Sequence, residues 1–235
     1  MNIKTEYTYI NRIPAIKWGT FTGKTILAIH GLMSHKADTD IRLMAQNAIP
    51  KGYQIISIDL PEHGDRKDGA KLNPWTCTEE LRAIYDMLIT EPTKISLYGC
   101  SIGAYMSMMA LAEKDIAHSF FLSPVVNMRF LIEGMMNAFN ITYEQLQAEK
   151  HISLPNGQFL DWEYYSYVCA HPICWTLPTD ILWGSEDNLM PEAMIDQFSA
   201  QSFARVSKVD SEHFFHTPEQ LALFTSWLND RLSPM

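Results

Sequence analysis

Six short, continuously apolar runs recur along the chain, separated by longer stretches with a helical period. Runs of this length without polar alternation are typical of strands buried on both faces of a sheet. Alternation with helices places such strands in one parallel sheet with right-handed crossovers. Residues 2–10 and 15–19 could add antiparallel strands at its edge. The sequence therefore predicts an α/β fold with a mostly parallel central sheet, helices on both faces and six buried strands: 25–30, 53–60, 93–99, 117–123, 179–184 and 203–210.

Two helices between and after these strands carry recognisable start signals. Apolar residues recur at helical spacing over 76–90, where Thr76 and Glu79 could form a capping box. Near the end of the chain, Thr217 is the expected N-cap, a proline follows at the first helical position, and Gln220 lies three residues on. Both segments are therefore predicted to be amphipathic helices that cover the sheet.

Residues 125–177 interrupt the alternation, because they contain no clear sheet strand. A stretch of this length without structure of its own is uncommon in a compact domain. We therefore expect a small, mostly helical insertion over the carboxyl edge of a core formed by residues 1–124 and 178–235. Its many methionines and aromatic residues could form its own core. Alternatively, a few could line an apolar substrate pocket, and the candidates are Met135, Met136, Phe139 and Tyr165.

Charge and cysteine content argue against several classes of partner. The chain has 18 basic and 27 acidic residues, a net charge of −9, and an acidic surface repels nucleic-acid phosphates.

No run approaches the roughly 18 apolar residues of a membrane span. The first residues do not resemble a secretory signal, so we expect a cytoplasmic protein. The cysteines lack the spacing of a zinc site and are expected to be reduced thiols: Cys77, Cys100, Cys169 and Cys174.

A lone serine stands between two glycines at the end of a predicted strand. Residues 99–103 read GCSIG, a G-x-S-x-G pattern with an apolar helical segment directly after it. A sharp strand-to-helix turn at this point would expose the Ser101 hydroxyl, as in a nucleophile elbow. The alternative is a tight turn whose serine only bonds locally. The strand–turn–helix context favours the nucleophile.

A serine hydroxyl needs a base within hydrogen-bond reach, and that base needs an orienting acid. The chain offers both after Ser101, in the order acid then histidine. Asp187 follows a predicted strand at the sheet edge where ligands bind, with Glu186 as the rival acid. His213 follows the last strand, with His216 as the rival base at the helix start. A metal site built from the two histidines lacks further ligands nearby.

Acyl-transfer chemistry also needs donors for the negative charge that develops on the substrate oxygen. The first buried strand ends in His30-Gly31-Leu32, and a turn there could point the Leu32 N–H inward. Together with the Ile102 N–H it would form an oxyanion hole. His30 itself is expected to be a packed, hydrogen-bonded turn residue.

These motifs together resemble the α/β-hydrolase superfamily, especially its compact carboxylesterase and lysophospholipase-like members. The resemblance implies the α/β-hydrolase fold, with Ser101 as nucleophile, His213 as base then acid, and Asp187 as the residue that orients His213. In this family the loop after the second parallel strand, DLPEHGDR in this sequence, is usually structural. Cys100 departs from many relatives but lies one residue from the exposed apex, so we expect a packed thiol. The matching stretches are HGLMSHK, DLPEHGDR, GCSIGA, GSEDNLMP and SEHFFHTPE.

The resemblance implies hydrolysis of a small-molecule carboxylic ester through an acyl-enzyme, without a metal or an organic cofactor. The apolar insertion favours uncharged acyl or aromatic groups of short to medium size. Thioester hydrolysis, acyl transfer and peptide cleavage use the same three residues and stay open, as does a non-catalytic binding protein on this fold.

Overall fold

The computed structural model describes residues 3–89 and 94–232. Eight strands of the described chain form one sheet, and a separate two-stranded hairpin lies in the segment between β6 and β9. The strands are β1 (Thr5–Ile10), β2 (Ile13–Trp18), β3 (Lys24–Ile29), β4 (Gln54–Ile58), β5 (Lys94–Cys100), β6 (Ser119–Leu122), β7 (His151–Ser153), β8 (Phe159–Asp161), β9 (Thr179–Gly184) and β10 (Arg205–Val209). The α-helices are α1 (Thr39–Ala48), α2 (Pro74–Leu88), α3 (Ile102–Leu111), α4 (Met128–Ala138), α5 (Tyr143–Glu149), α6 (Trp162–Ala170), α7 (Glu192–Ser202) and α8 (Pro218–Arg231).

The main sheet has the strand order β1-β2-β4-β3-β5-β6-β9-β10. Neighbours from β4 to β10 pair in parallel, while β1 and β2 form an antiparallel edge. The six predicted buried strands are all present, with ends shifted by up to two residues, and the predicted mostly parallel α/β sheet is confirmed. The predicted helix end at Thr90 and strand start at Thr93 lie outside the described residues.

Both faces of the parallel strands are buried, which explains their continuous apolar runs. In β3, for example, Ile26 and Ala28 pack in a cluster with α1 and α8. Leu27 and Ile29 point the other way and pack in a larger cluster with α2, α3, α4, α6 and α7. Because side chains alternate across a strand, one apolar run can supply both layers of the core.

The start of α2 differs from the prediction, whereas the start of α8 agrees with it. Asn73 is the N-cap of α2; its side chain accepts the Thr76 N–H at 2.8 Å, and a proline occupies the first helical position. The predicted capping box at Thr76 and Glu79 is therefore wrong, because the Asn-Pro pair starts the helix three residues earlier. At α8, Thr217 and Gln220 form the predicted capping box.

The segment between β6 and β9 contains α4, α5 and α6, together with a small β7-β8 hairpin that was not predicted from the sequence. The hairpin turns through Asn156 and Gly157, and the glycine has a φ of +83°, a conformation that favours glycine. The Pro-Asn-Gly sequence was the available signal.

None of the helices in the described ranges is long and apolar enough to cross a membrane.

Candidate active site

Ser101 occupies a strained turn between β5 and α3. Its backbone has φ 51° and ψ −116°, an unusual conformation for a residue with a side chain. The surrounding backbone holds this turn, because the Ser101 N–H donates to Leu122 O at 3.0 Å and Ser101 O accepts the Val125 N–H at 3.2 Å. The turn therefore presents the hydroxyl at the carboxyl edge of the sheet.

Glycine is required on both sides of Ser101 because other backbone passes very close. A methyl group added at Gly103 would lie 2.4 Å from the carbonyl oxygens of both Ile29 and His30. One added at Gly99 would lie 2.6 Å from the Ala104 Cα. The two glycines thus allow the end of β3 and the first turn of α3 to close tightly around the serine.

The structure brings Ser101, His213 and Asp187 together although they are far apart in the chain. The distance between Ser101 Oγ and His213 Nε2 is 2.8 Å, and that between His213 Nδ1 and Asp187 Oδ2 is 2.7 Å. With a neutral imidazole, Nδ1–H donates to the carboxylate and Nε2 accepts the serine hydroxyl proton. The Asp187 side chain is fully buried and the His213 side chain is 15% exposed. This arrangement can take a proton from the hydroxyl and stabilise the resulting imidazolium.

Asp187 is itself held in place by the loop that follows β9. Its second oxygen, Oδ1, accepts the N–H groups of Leu189 at 2.8 Å and Met190 at 3.0 Å. The rival acid Glu186 is exposed. The rival base His216 hydrogen-bonds Phe214 O through Nδ1 at 2.8 Å, so its contacts are local. Among the described residues, no group of three or more His, Cys, Asp or Glu side chains could hold a metal ion.

The turn after β3, which carries the predicted oxyanion donor Leu32, lies directly against the serine. A methyl group built at Gly31 would be 3.5 Å from the Ser101 Cβ. His30 Nδ1–H donates to Gly31 O at 2.7 Å, and its Nε2 accepts the Leu60 N–H at 3.0 Å. Because Gly31 C=O and the Leu32 N–H share one rigid peptide plane, the first bond restrains the direction of that N–H without fixing it alone. The second predicted donor, the Ile102 N–H, is the first amide of α3.

Burial determines the protonation of two groups beside the serine. Burial lowers the pKa of His30 to about 4, although its bond to Gly31 opposes this effect. His30 is therefore neutral at pH 7, as its two hydrogen bonds require. Burial also raises the pKa of Cys100 well above its usual range, and the nearby Asp40 carboxyl adds to the increase. Cys100 is thus a thiol rather than a reactive thiolate, as expected of a packed cysteine.

Two cavities lie beside the segment between β6 and β9. One has a volume of about 310 Å³ and includes Tyr105, one helical turn after Ser101, and Val126 in its wall. The other has about 470 Å³ and is lined by aromatic residues of α5 and α6, among them Tyr165. Met136 is buried in the larger hydrophobic cluster, and Met135 and Phe139 pack against it. The predicted pocket role of Met135, Met136, Phe139 and Tyr165 stays a prediction.

The loop after β4, which the resemblance implies is structural, also holds the turn after β3, and no sequence pattern predicts these contacts. Asp59, fully buried, accepts both the Lys36 N–H at 2.8 Å and the Lys36 ammonium at 2.7 Å. His63 Nε2 accepts the Met33 N–H at 3.0 Å. The sequence separation of these pairs predicts no contact, because each pair joins two loops that follow neighbouring strands.

Comparisons with known proteins identify the family of this chain and its fold. The sequence profile of the "Alpha/beta hydrolase family" matches residues 26–228. A search of curated protein sequences found no match. Among solved structures, mouse alpha/beta hydrolase domain-containing protein 10 is similar, with a TM-score of 0.75, 13% identity and 97% of each chain covered.

Two further solved structures are similar to this chain, and one of them is described as an esterase. Est1E from Butyrivibrio proteoclasticus has a TM-score of 0.73 and 17% identity, with 96% of each chain covered. A second structure of Est1E has ferulic acid bound. The Pyrococcus furiosus esterase PF2001 has a TM-score of 0.69 and 17% identity, covering 97% of this chain and 90% of that one. At these identities the likeness shows a common fold.

Proposed function

This chain belongs to the alpha/beta hydrolase family, and on that premise we propose that it is a serine hydrolase acting on carboxylic esters. The observation that carries the proposal is the continuous hydrogen-bonded path from Ser101 Oγ through His213 to Asp187, with distances of 2.8 and 2.7 Å. A strained serine, a base in contact with it and a buried carboxylate behind that base are the three groups that nucleophilic acyl transfer needs.

In the proposed reaction, Ser101 Oγ attacks the acyl carbonyl while its proton passes to His213 Nε2. The charge on the tetrahedral oxygen is stabilised by the backbone N–H groups of Leu32 and Ile102. The intermediate then collapses, and the alcohol leaves with the proton from His213. Water, deprotonated by His213, attacks the acyl-enzyme, and His213 returns the proton to Ser101 Oγ as the acid is released. Asp187 stabilises the imidazolium at each stage.

Exposed apolar side chains in the loops that carry proposed site residues support an uncharged substrate. Leu32, a proposed oxyanion donor, is 49% exposed and the adjacent Met33 is 92% exposed, while Phe214, which follows His213, is 65% exposed. Apolar groups left in solvent around a reactive centre are suited to contact an apolar ligand. We therefore propose a small ester with an apolar acyl or aromatic group of short to medium size. The Pyrococcus furiosus esterase and the Est1E structure with ferulic acid bound are consistent with that class.

We also propose that residues 125–177 act as a cap beside the site. Ile132 of α4 and Val168 of α6 pack in the same hydrophobic cluster as Tyr105 of α3. Through α3, this segment is coupled to the turn that carries Ser101. Its methionines and aromatic residues, Met135, Met136, Phe139 and Tyr165, are the proposed contacts for the apolar part of the substrate.

Turnover of p-nitrophenyl butyrate by wild-type protein and by Ser101→Ala tests the proposal. We expect the variant to lose activity by a factor on the order of 10⁶ in kcat. Ser107→Ala is the matched control, because this serine lies on the same helix and its hydroxyl donates to Gly103 O at 2.7 Å rather than to a proposed site residue. Equal turnover by wild type and Ser101→Ala would contradict the proposal. A panel that varies acyl and alcohol parts, with thioesters included, separates esterase from thioesterase activity.

A further inference from the structure

We propose that His63, in the loop after β4, is a positioning residue for the oxyanion donor Leu32. The inference rests on the function proposed above and adds a residue that does not touch the reacting atoms. Its basis is the bond between the Met33 N–H and His63 Nε2, 3.0 Å long, which joins the turn after β3 to the loop after β4.

Met33 needs an external partner to keep its conformation. Its φ is +60°, in the left-handed region that costs a residue with a side chain about 1 kcal/mol or more. Its side chain is 92% exposed, so packing contributes little to holding it. Strained conformations persist only where the surroundings enforce them. At Met33 the bond from its N–H to His63 supplies that constraint.

His63 is in turn a fixed acceptor. The Met33 N–H occupies Nε2, so with a neutral ring the proton lies on Nδ1, which donates to Pro61 O at 2.7 Å. The His63 N–H donates to Leu60 O, and His63 O accepts the Arg66 N–H, both at 3.1 Å. The imidazole therefore cannot turn away from Met33 without breaking the bond to Pro61.

Two successive peptide planes are consequently held by two imidazoles. His30 holds the plane that contains Gly31 C=O and the Leu32 N–H, and His63 holds the next plane, through the Met33 N–H. The two rings are neighbours, with centroids 5.1 Å apart. Along the chain, the Leu32 N–H lies between these two hydrogen bonds. Loss of the bond between Met33 and His63 therefore lets the turn rotate and moves the Leu32 donor.

A donor that acts only on the tetrahedral oxygen affects kcat more than KM. Complete loss of one such donor costs about 10²- to 10³-fold in kcat. A displaced donor retains part of its effect, so we expect disruption at His63 to lower kcat about 10- to 100-fold. KM should stay within about threefold of wild type.

Two conservative variants separate positioning from a merely structural role. In His63→Gln the amide oxygen can take the position of Nε2 and still accept the Met33 N–H. In His63→Asn the shorter side chain reaches only the position of Nδ1, next to Pro61. We expect His63→Asn to lose kcat and His63→Gln to keep it within about threefold. His35→Asn is the control, since His35 is exposed on the same turn and accepts the Ala37 N–H through Nδ1, which asparagine can replace.

The experiment measures kcat and KM with p-nitrophenyl butyrate, thermal unfolding, and hydrogen exchange of the Met33 amide. We expect faster Met33 exchange in His63→Asn alone. Equal kcat in wild type and His63→Asn, equal losses in both His63 variants, or unchanged Met33 exchange would overturn the inference. Wild-type protein that neither turns over ester nor reacts at Ser101 would instead contradict the proposed function, and the inference with it.

Discussion

Gly103→Ala tests whether the close approach of two backbone segments sets the geometry around the serine. The added methyl group would lie 2.4 Å from the carbonyl oxygens of Ile29 and His30, so the segments must separate by about 1 Å. Overpacking of this kind costs about 1 to 3 kcal/mol of unfolding free energy. The displaced residues include the neighbours of Ser101 and Leu32, and a 1 Å error between reacting groups costs about 10²-fold in rate.

The assay compares kcat for p-nitrophenyl butyrate and urea unfolding in Gly103→Ala with those in Gly134→Ala. Gly134 lies within α4, and a methyl group there meets nothing within 4 Å. The control should keep full activity and gain up to about 1 kcal/mol of stability, because alanine favours helix. If Gly103→Ala were as stable and as active as wild type, the contact between the end of β3 and α3 would not set the position of the serine.

Three further perturbations test separate parts of the structure. Asp187→Asn should lower kcat by about 10⁴-fold, while Glu186→Gln should not, and the reverse result in ester turnover would reassign the acid. Burial lowers the pKa of His30 from 6.5 to about 4. As the pH falls, the unfolded chain is therefore protonated at this residue before the folded chain is. The free energy of unfolding consequently decreases by about 3 kcal/mol between pH values above 6.5 and pH 4. Urea unfolding above pH 6.5 and at pH 4 measures this fall, and we expect it to be about 3 kcal/mol smaller in His30→Gln than in wild type. An equal fall in both proteins would refute the prediction. Thr217→Ala removes the N-cap of α8 and should cost about 1 kcal/mol of unfolding free energy with kcat unchanged; no change in stability would contradict the role of the cap.

The elements that the sequence predicted well are those with a local signal. Continuous apolar runs identified the six buried strands, because both faces of each strand pack against helices. The glycines around Ser101 and the order of Ser101, Asp187 and His213 along the chain were sufficient to select three residues that the structure brings into contact. In the strands and the serine turn the signal lies in residues that are neighbours in the sequence, whereas the order of Ser101, Asp187 and His213 was informative because it matches the α/β-hydrolase pattern.

The features that the sequence did not predict depend on contacts between distant loops. The bond from Met33 to His63 forms because β3 and β4 are neighbours in parallel, which aligns the turns that follow them. The two N–H groups that bind Asp187 come from the loop after β9, and no sequence pattern predicts the shape of that loop. Local start signals can also compete, as at α2, where Asn73 before a proline prevailed over Thr76.

Covalent capture of the nucleophile tests the central claim most directly. Wild-type protein and His213→Ala are treated with a fluorophosphonate, and the adduct is located by peptide mass spectrometry. We expect one adduct per wild-type chain, on Ser101, and slow or absent labelling in His213→Ala because the hydroxyl then lacks its base. An adduct found only on other residues, or equally fast labelling of Ser101 without His213, would contradict the proposed mechanism.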